Sequence, residues 1–595
     1  MRTTNHSPLL RGALALLLAI GAAARAQSPA PAWDTQPDTW AATDALGRAL
    51  PGARECGPPR AGKPVGIFYF LWMEPHPGPK ILDLSQLLAE HPDHPAFGPP
   101  GAFHWWSEPL FGYYASDDEY VIRKHAQMLT DAGVDVVIFD VTNALTYDGT
   151  WQEIGRVYQQ IRREGGRTPQ FAFLCHSHPE RTLRHLYDAL YAKNLYPELW
   201  FRWQGRPLLL AAPGGHDPEV AAFFTFRESW AWTNPRDWFQ DGRDKWPWLD
   251  NCPQQPGWHE DPKRPEQIVV GAAQHPVSNY GRSHHDGREP PPEQWRSGEG
   301  LGFAEQWKRA LEVDPEFVFV TGWNEWIAQR FVKDNPHSGP GQLAGRKLEA
   351  GDTYFVDTYS PEFSRDLEPM KGGFGDNYYW QMAAGIRRFK GVRAPPPPSP
   401  PKSISFGNGF ADWKDVGPEY RDDTGDLSSR RHAGFGGAVA YTNETGRNDF
   451  RLMKVARDPQ HVWFYAQTAA PIGPRGGTNA WMLLLIRNDE LNAPAWEGYH
   501  FIVTAPPEGG TDLLVKACAG SGKWQVAGRA DYLQRGNEMA VQIPRALLGL
   551  PAGRMDARLH FKWADGIRSL DPLDWWVDGD VAPDGRFQYV YEAGR

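Results

Sequence analysis

The chain has 595 residues, too many for one compact core, so two domains behind a leader are expected. Hydrophobic residues make up 41% and charged residues 23%, as in soluble globular proteins. A net charge of -10 without a basic stripe argues against nucleic acid as a partner, and 27 Trp are enough to line a surface cleft as well as a core.

Residues 1–26 read as a signal peptide. Arg2 and Arg11 form a positive start, Gly12 to Ala24 is apolar but too short to span a bilayer, and Ala24-Arg25-Ala26 is a small-x-small cleavage site. No cysteine follows the apolar run to take a lipid anchor, and no later segment has the length of a membrane helix. A periplasmic or secreted protein is expected. Residues 27–60, rich in Pro, Ala and Gly, are expected to be irregular. Of Cys56, Cys175, Cys252 and Cys518, no pair has metal-site spacing. An exported chain permits a Cys56–Cys252 disulfide, whereas Cys175 lies in an apolar run and reads as a buried thiol.

Over residues 61–393 strands alternate with helices. VGIFYFLW (65–72), VDVVIFDVTN (134–143), QFAFLCHS (170–177), PLLLAAP (207–213), FFTFRES (223–229), QIVVGAAQH (267–275) and EFVFVTGW (316–323) read as strands, with TYFVDTY (353–359) as an eighth. Between them SDDEYVIRKHAQMLTDAG carries a Ser116–Glu119 capping box, the apolar stripe Val121, His125, Met128, Leu129, Ala132 and a stop at Gly133. TWQEIGRVYQQIRREGG repeats the formula with Thr150 and Glu153. Strands apolar throughout and alternating with amphipathic helices predict a parallel sheet, here a (β/α)8 TIM-type barrel; a doubly wound sheet is the runner-up, disfavoured because no G-x-G-x-x-G follows the first strand. Residues 394–402, APPPPSPPK, read as a polyproline spacer. Residues 403–595 carry short strands separated by turns and almost no helix, which predicts an all-β sandwich.

Catalytic groups of a barrel sit where its strands end. The segment FVFVTGWNEWIAQR (317–330) puts Glu325 there, between Trp323 and Trp326. Two indoles and a carboxylate suit a sugar ring and its glycosidic oxygen; the plainer reading is a Glu tying a loop between core tryptophans. Asp140 ends the apolar run IFD, where burial would raise its pKa, or it bonds a neighbouring loop. Glu108, among the aromatics of WSEPLFGYY, is the third candidate, with a loop-anchoring salt bridge as its alternative. Glu74, Glu362 and Glu368 are weaker, and Arg365, Asp366 and Glu368 read as one structural ion network. Asn324, Asn143, Tyr147, His104, His275 and Arg330, with the two tryptophans, are candidate substrate contacts, although each histidine taken singly is better read as structural. Glycoside hydrolysis uses two carboxyl groups, about 5–5.5 Å apart for retention and about 6.5–9.5 Å for inversion. No catalytic metal or cofactor is implied.

VTGWNEW resembles the N-E-W-x-E motif of glycoside hydrolase family 99 and its family 71-like relatives, and a looser likeness runs over 63–393, including GIFYF and SRDLEPMKGGFGDNYYWQ. The resemblance implies a (β/α)8 barrel acting on glycans, in which two glutamates of the motif work together in retaining endo-α-mannoside cleavage assisted by the substrate's 2-hydroxyl. Asn324, Glu325 and Trp326 match; the position of the second acid is Ala328. DWKDVGPEYRDDTGD, YTNETGRND and WEGYHF resemble carbohydrate-binding module family 9, which implies a sugar clamped between two tryptophans and a structural calcium, for which Asp422, Asp423 and Asp426 are candidates beside the reading of a solvated acidic turn. The expectation is an exported glycoside hydrolase using Glu325 with Asp140 or Glu108 on a polysaccharide or glycan. A glycan-binding protein without chemistry and a polysaccharide lyase, with Arg330 or Arg365 neutralising a uronate, are the rivals.

Overall fold

The computed structural model describes residues 33–73, 80–234, 237–335, 338–427, 429–475, 480–506, 512–551 and 553–594. The expected leader and Glu74 lie outside the described residues. Seven of the expected strands form one parallel sheet: β1 (Val65–Tyr69), β2 (Val136–Val141), β3 (Gln170–Cys175), β4 (Arg206–Leu210), β5 (Thr225–Arg227), β6 (Pro265–Gly271) and β7 (Phe317–Trp323). They are almost wholly buried, as their unbroken apolar runs require. Their order is β5-β4-β3-β2-β1-β7-β6, a cyclic order cut between β5 and β6.

Among the described residues no ladder joins β5 to β6. Residues 228–258 span the gap, bridging in parallel at Glu228–Lys245 and Ala231–Leu249 and returning as Gly257–Trp258 antiparallel to β6. The crossing is tight enough to need glycine: a Cβ on Gly257 would fall 1.7 Å from the Lys245 carbonyl oxygen. The expected eighth strand is therefore not part of the sheet. Only Thr353–Tyr354 is extended, antiparallel to Phe331–Val332. Of TYFVDTY, Phe355 packs against Leu84 and Ala328, while Val356 and Asp357 stay accessible, a pattern that cannot fill a strand covered on both faces.

The principal helices are α1 (Glu119–Ala132), α2 (Asp148–Arg163), α3 (Pro179–Leu186), α4 (Leu301–Val313) and α5 (Asn377–Lys390). The cap of α1 is Asp118 rather than Ser116: its carboxylate accepts from the Tyr120 amide, while the Ser116 hydroxyl accepts from the Met73 amide. Gly133 closes the helix in the left-handed conformation. α2 begins at Asp148, and its Glu153 pairs with Arg156 instead of closing a capping box. All four cysteines are free thiols, so the Cys56–Cys252 bridge is not formed.

The C-terminal region is a β domain. Strands β8 (Tyr420–Arg421), β9 (Phe450–Arg457), β10 (His461–Thr468), β11 (Leu483–Asn488), β12 (Phe501–Thr504), β13 (Asp512–Cys518), β14 (Trp524–Arg535), β15 (Glu538–Pro544), β16 (Ala557–Asp565), β17 (Asp580–Ala582) and β18 (Tyr589–Ala593) make one antiparallel sheet. The order is β8-β9-β10-β15-β14-β13-β12-β11-β16-β17, with β18 also on β16. The sheet curls until its two ends meet: the Phe450 amide at the start of β9 donates to the Asp580 carboxylate of β17.

The two regions share a core. One apolar cluster contains Val121 and Met128 of α1, Tyr379 of α5 and Trp576 and Phe587 of the β domain. Buried ion pairs cross the boundary, Arg430 to Asp118 at 2.8 Å and Arg586 to Asp376 at 3.0 Å. The proline-rich segment lies along the β domain: the Ser399 amide donates to the Gly417 carbonyl and the Lys402 amide to that of Arg457.

Candidate active site

The C-terminal ends of β2, β1 and β7 lie side by side. Asp140 belongs to β2 and Glu325 follows β7. Asp140 is 7% exposed, and one carboxylate oxygen accepts from the Thr142 amide at 2.9 Å. Burial pushes its carboxyl up to about 6, with Asp357 raising it further and Arg365 opposing. Glu325 is 1% exposed. Both its oxygens are held by Arg365, Oε2 by Nε at 2.7 Å and Oε1 by Nη2. Burial pushes the Glu325 carboxyl up to about 8; Arg365 opposes and Asp357 adds to the shift. Arg365 also pairs with the half-exposed Asp357 at 3.3 Å. Two carboxyls nearly two hundred residues apart thus share the same two charged neighbours.

The sheet places Arg365 as a strand would. The Gly322 amide donates to the Arg365 carbonyl and the Leu367 amide to the Gly322 carbonyl, so 365–367 runs alongside the end of β7. Asp366 then accepts from the Glu325 amide at 2.7 Å and from the Trp106 indole at 2.9 Å. Burial lifts its own carboxyl to about 7.

Aromatic rings border this centre. The Arg365 guanidinium lies 5.5 Å from the Trp248 ring. Trp230 meets Trp248 edge-on at 6.1 Å and stacks on the exposed His176 at 3.5 Å. The Trp232 indole donates to Gln274, whose carbonyl accepts from Arg365. His275 is edge-on to Trp232, and burial and Arg365 hold it down at about 3, a neutral imidazole. Trp230, Trp232 and Trp248 are half-buried and come from the Trp-rich segment that spans the gap between β5 and β6. A cavity of about 520 Å³ opens beside Trp232 and Gln274. The larger cavity, about 610 Å³, lies at the opposite end of the strands, by Asp135 and Gln170. Its Asp34 and Asp38 are consumed by Arg393, whereas the buried centre of Glu325 and Arg365 lies at the other end.

Several expected contacts have other work. Trp323 is fully buried, edge-on to His125 at 5.5 Å, and Trp326 stacks on Trp106 at 4.5 Å while its indole donates to Glu368. Neither walls an open cleft: Trp323 ends β7 facing the core, and the turn after it folds Trp326 back into the same cluster. Asn324, in the left-handed conformation at φ 59°, bonds the amide and the carbonyl of Phe70 and ties β1 to β7. His104 is buried, its ring bonded to the Ala102 carbonyl and the Gly98 amide. Burial holds it down at about 4. Arg330 bonds Thr353 and the Gly98 carbonyl, pinning two loops. Ala328 pairs with His104 and packs under Phe355, so the position at which the motif resemblance would put a second acid is a buried alanine. Glu108 pairs with Lys371. Asn143 is exposed on the rim, its amide donating to the Tyr147 hydroxyl at 2.7 Å. The structure thus brings together Asp140, Glu325 and His275. It adds Asp357, in the segment whose sequence predicts an eighth strand, and Arg365, for which the sequence predicts an ion network with Asp366 and Glu368. That glutamate instead binds His125, Tyr114 and Trp326.

No helix among the described residues is long and apolar enough to cross a membrane. No protein-family model matches the chain, and no curated protein matches it. Among solved structures, the GH99 endo-alpha-mannosidase from Bacteroides thetaiotaomicron aligns at 15% identity over 56% of this chain and 98% of that one, with a TM-score of 0.29. The same enzyme in complex with bis-tris-propane aligns at 14% over 55% and 97%, also at 0.29.

Proposed function

We propose that this chain is an exported glycoside hydrolase whose α/β region is a barrel, with residues 228–258 standing where an eighth stave would be. The observation that carries the reading is that Asp140 and Glu325, from strands on either side of β1, share Arg365 and Asp357 as charged neighbours. A glycosidase needs one carboxyl that keeps a proton near neutral pH and one held as the anion. Asp140, buried and pushed up to about 6, suits the proton donor to the leaving oxygen. The two-point fork to the always-charged Arg365 guanidinium is the geometry of an ionised carboxylate, and on that geometry, against the upward push of burial to about 8, Glu325 is taken as the ionised partner, nucleophile or general base. Half-buried Trp230, Trp232 and Trp248 offer faces on which sugar rings stack. In this reading the β domain is a glycan-binding appendage.

The test is turnover of purified polysaccharides by wild type, Asp140→Asn and Glu325→Gln, scored for reducing ends and for ultraviolet-absorbing products. Reducing ends released by wild type and lost in both variants support a hydrolase. Unsaturated products assign a lyase. Binding without turnover of any glycan assigns a non-catalytic binder.

A further inference from the structure

Resting on the reading of the chain as glycan-active, we propose that the cavity of about 520 Å³ beside the end of β6 is a subsite for an uncharged sugar ring, its wall latched by the carboxyl pair Glu289 and Glu362. Hydrogen bonds lead into it from the charged centre. Arg365 donates to the Gln274 carbonyl at 3.4 Å. The Gln274 side chain accepts from the Trp232 indole at 2.6 Å and donates to the Asn251 side chain. Gln274, Trp232 and Asn251 all line the cavity. Its volume falls within the roughly 300–1,000 Å³ of small-molecule sites.

His284 lines the same cavity and is 8% exposed. Its ring lies face to face on Tyr280 at 3.6 Å, which fixes its plane, and its Nδ1 is buried without a hydrogen-bond partner. A nitrogen left so is costly until a ligand meets it. Burial, with His285 adding, holds the imidazole down at about 4, so it is neutral and offers one donor and one acceptor. A sugar hydroxyl, donor and acceptor at once, matches that ring and the side-chain amides of Asn251, Asn279 and Gln342 around it. The half-buried Trp232 offers a face for the apolar side of the sugar.

Glu289 and Glu362 meet at Gly281. The Gly281 amide donates to Glu289 Oε2 at 2.8 Å, and a Cβ on Gly281 would fall 2.3 Å from Glu362 Oε1, too close for any side chain. Glu362, 2% exposed, is anchored by the Ser283 amide and hydroxyl and by the Ser297 hydroxyl. Glu289 Oε1 is buried without a hydrogen-bond partner, and a proton shared with Glu362 supplies one. Burial and the facing Glu362 push the Glu289 carboxyl up to about 8. Below that pH the shared proton ties loop 281–289 to Glu362; above it two anions repel each other and the wall is released. The other charged groups of this region are engaged elsewhere or solvated. Arg282 turns to Ser364 and the Tyr378 ring, Glu305 of α4 accepts from the Asp286 amide, His285 bonds the Ser283 carbonyl and Arg288 is exposed. Among the described residues none of them forms an ion pair with either carboxylate. An acidic ring would bring a further anion against this pair, and an uncharged one does not.

The experiment is saturation-transfer NMR of the full-length protein with glucose, mannose, galactose, N-acetylglucosamine and glucuronate, at about pH 6 and about pH 9, on either side of the Glu289 titration. Free sugars have no glycosidic bond to cleave, so binding is read apart from turnover. The expected result is millimolar binding of a neutral sugar at the lower pH, with glucuronate at least about tenfold weaker. Wild-type affinity should fall at least about tenfold at the higher pH. Glu289→Gln, whose amide donates to Glu362 without titrating, should bind equally at both, and His284→Ala should lose binding. No binding of any neutral sugar overturns the proposal, as does tighter binding of glucuronate. Wild-type binding that ignores pH, or binding unchanged in His284→Ala, overturns it too. The near-isosteric Glu289→Gln keeps the test decisive if His284→Ala does not fold. Sugar binding that follows Glu289, in a protein that turns over no polysaccharide, removes the hydrolase and keeps the subsite.

Discussion

Arg365 grips both carboxylate oxygens of Glu325 while both side chains are almost fully buried. Such a pair is costly to assemble, and much costlier to break on one side. Arg365→Met should therefore destabilise the protein by about 3–5 kcal/mol, and the double variant Arg365→Met/Glu325→Met should recover most of that loss. Denaturant unfolding of the two single variants and the double measures the coupling; additive losses would mean that the fork is not a unit.

Asp140 bears on the pH profile. Its carboxyl titrates about two units higher in the folded protein than in the unfolded chain. A raised folded pKa means that the native state holds the proton more tightly. The stability it contributes is complete below about pH 3.8 and is lost as pH rises through about 6. If Asp140 donates the proton in catalysis, kcat/KM falls on the alkaline side with a limb near 6, and Asp140→Asn removes that limb along with about 10²–10⁴-fold of activity. A profile flat through pH 6 would take the proton donor away from Asp140.

Trp326 is stacked on Trp106 and bonded to Glu368. Trp326→Ala should cost about 3–5 kcal/mol of stability, as other large core truncations do. Trp248→Ala, at the half-buried rim, should raise KM with a small change in Tm. Thermal melts set beside steady-state kinetics separate the two. A Trp326 variant that keeps its melting temperature and loses substrate affinity would restore the indole to the cleft.

Arg430 of the β domain is buried on Asp118, the residue that caps α1, and on the Phe111 carbonyl. Arg430→Met leaves that carboxylate without its cation. The expected outcome is a loss of about 2–4 kcal/mol and faster limited proteolysis between the two regions. Unchanged proteolysis would mean that the apolar cluster shared by Met128 and Trp576 holds the regions together by itself.

The parallel strands were legible because their apolar runs exceed what any half-exposed strand would carry, and Glu325 was legible because it follows the clearest of them. Gly133 marked the end of α1, and the C-terminal strands from His461 onward announced a β domain as short strands separated by turns with almost no helix between them. Local pattern determines these features, since each depends on residues a few positions apart. The tertiary structure decided the rest. It left the gap between β5 and β6 to be spanned by the Trp-rich segment, turned Trp323, Trp326, Asn324 and His104 into packing and ties, paired Arg365 with Glu325 and Asp357, and put Asp140 within reach of their charge. Which side a turn residue faces, and which distant charge meets it, depends on long-range closure of the sheet. A buried carboxyl's character comes from its neighbours in space, and those neighbours are distant in sequence.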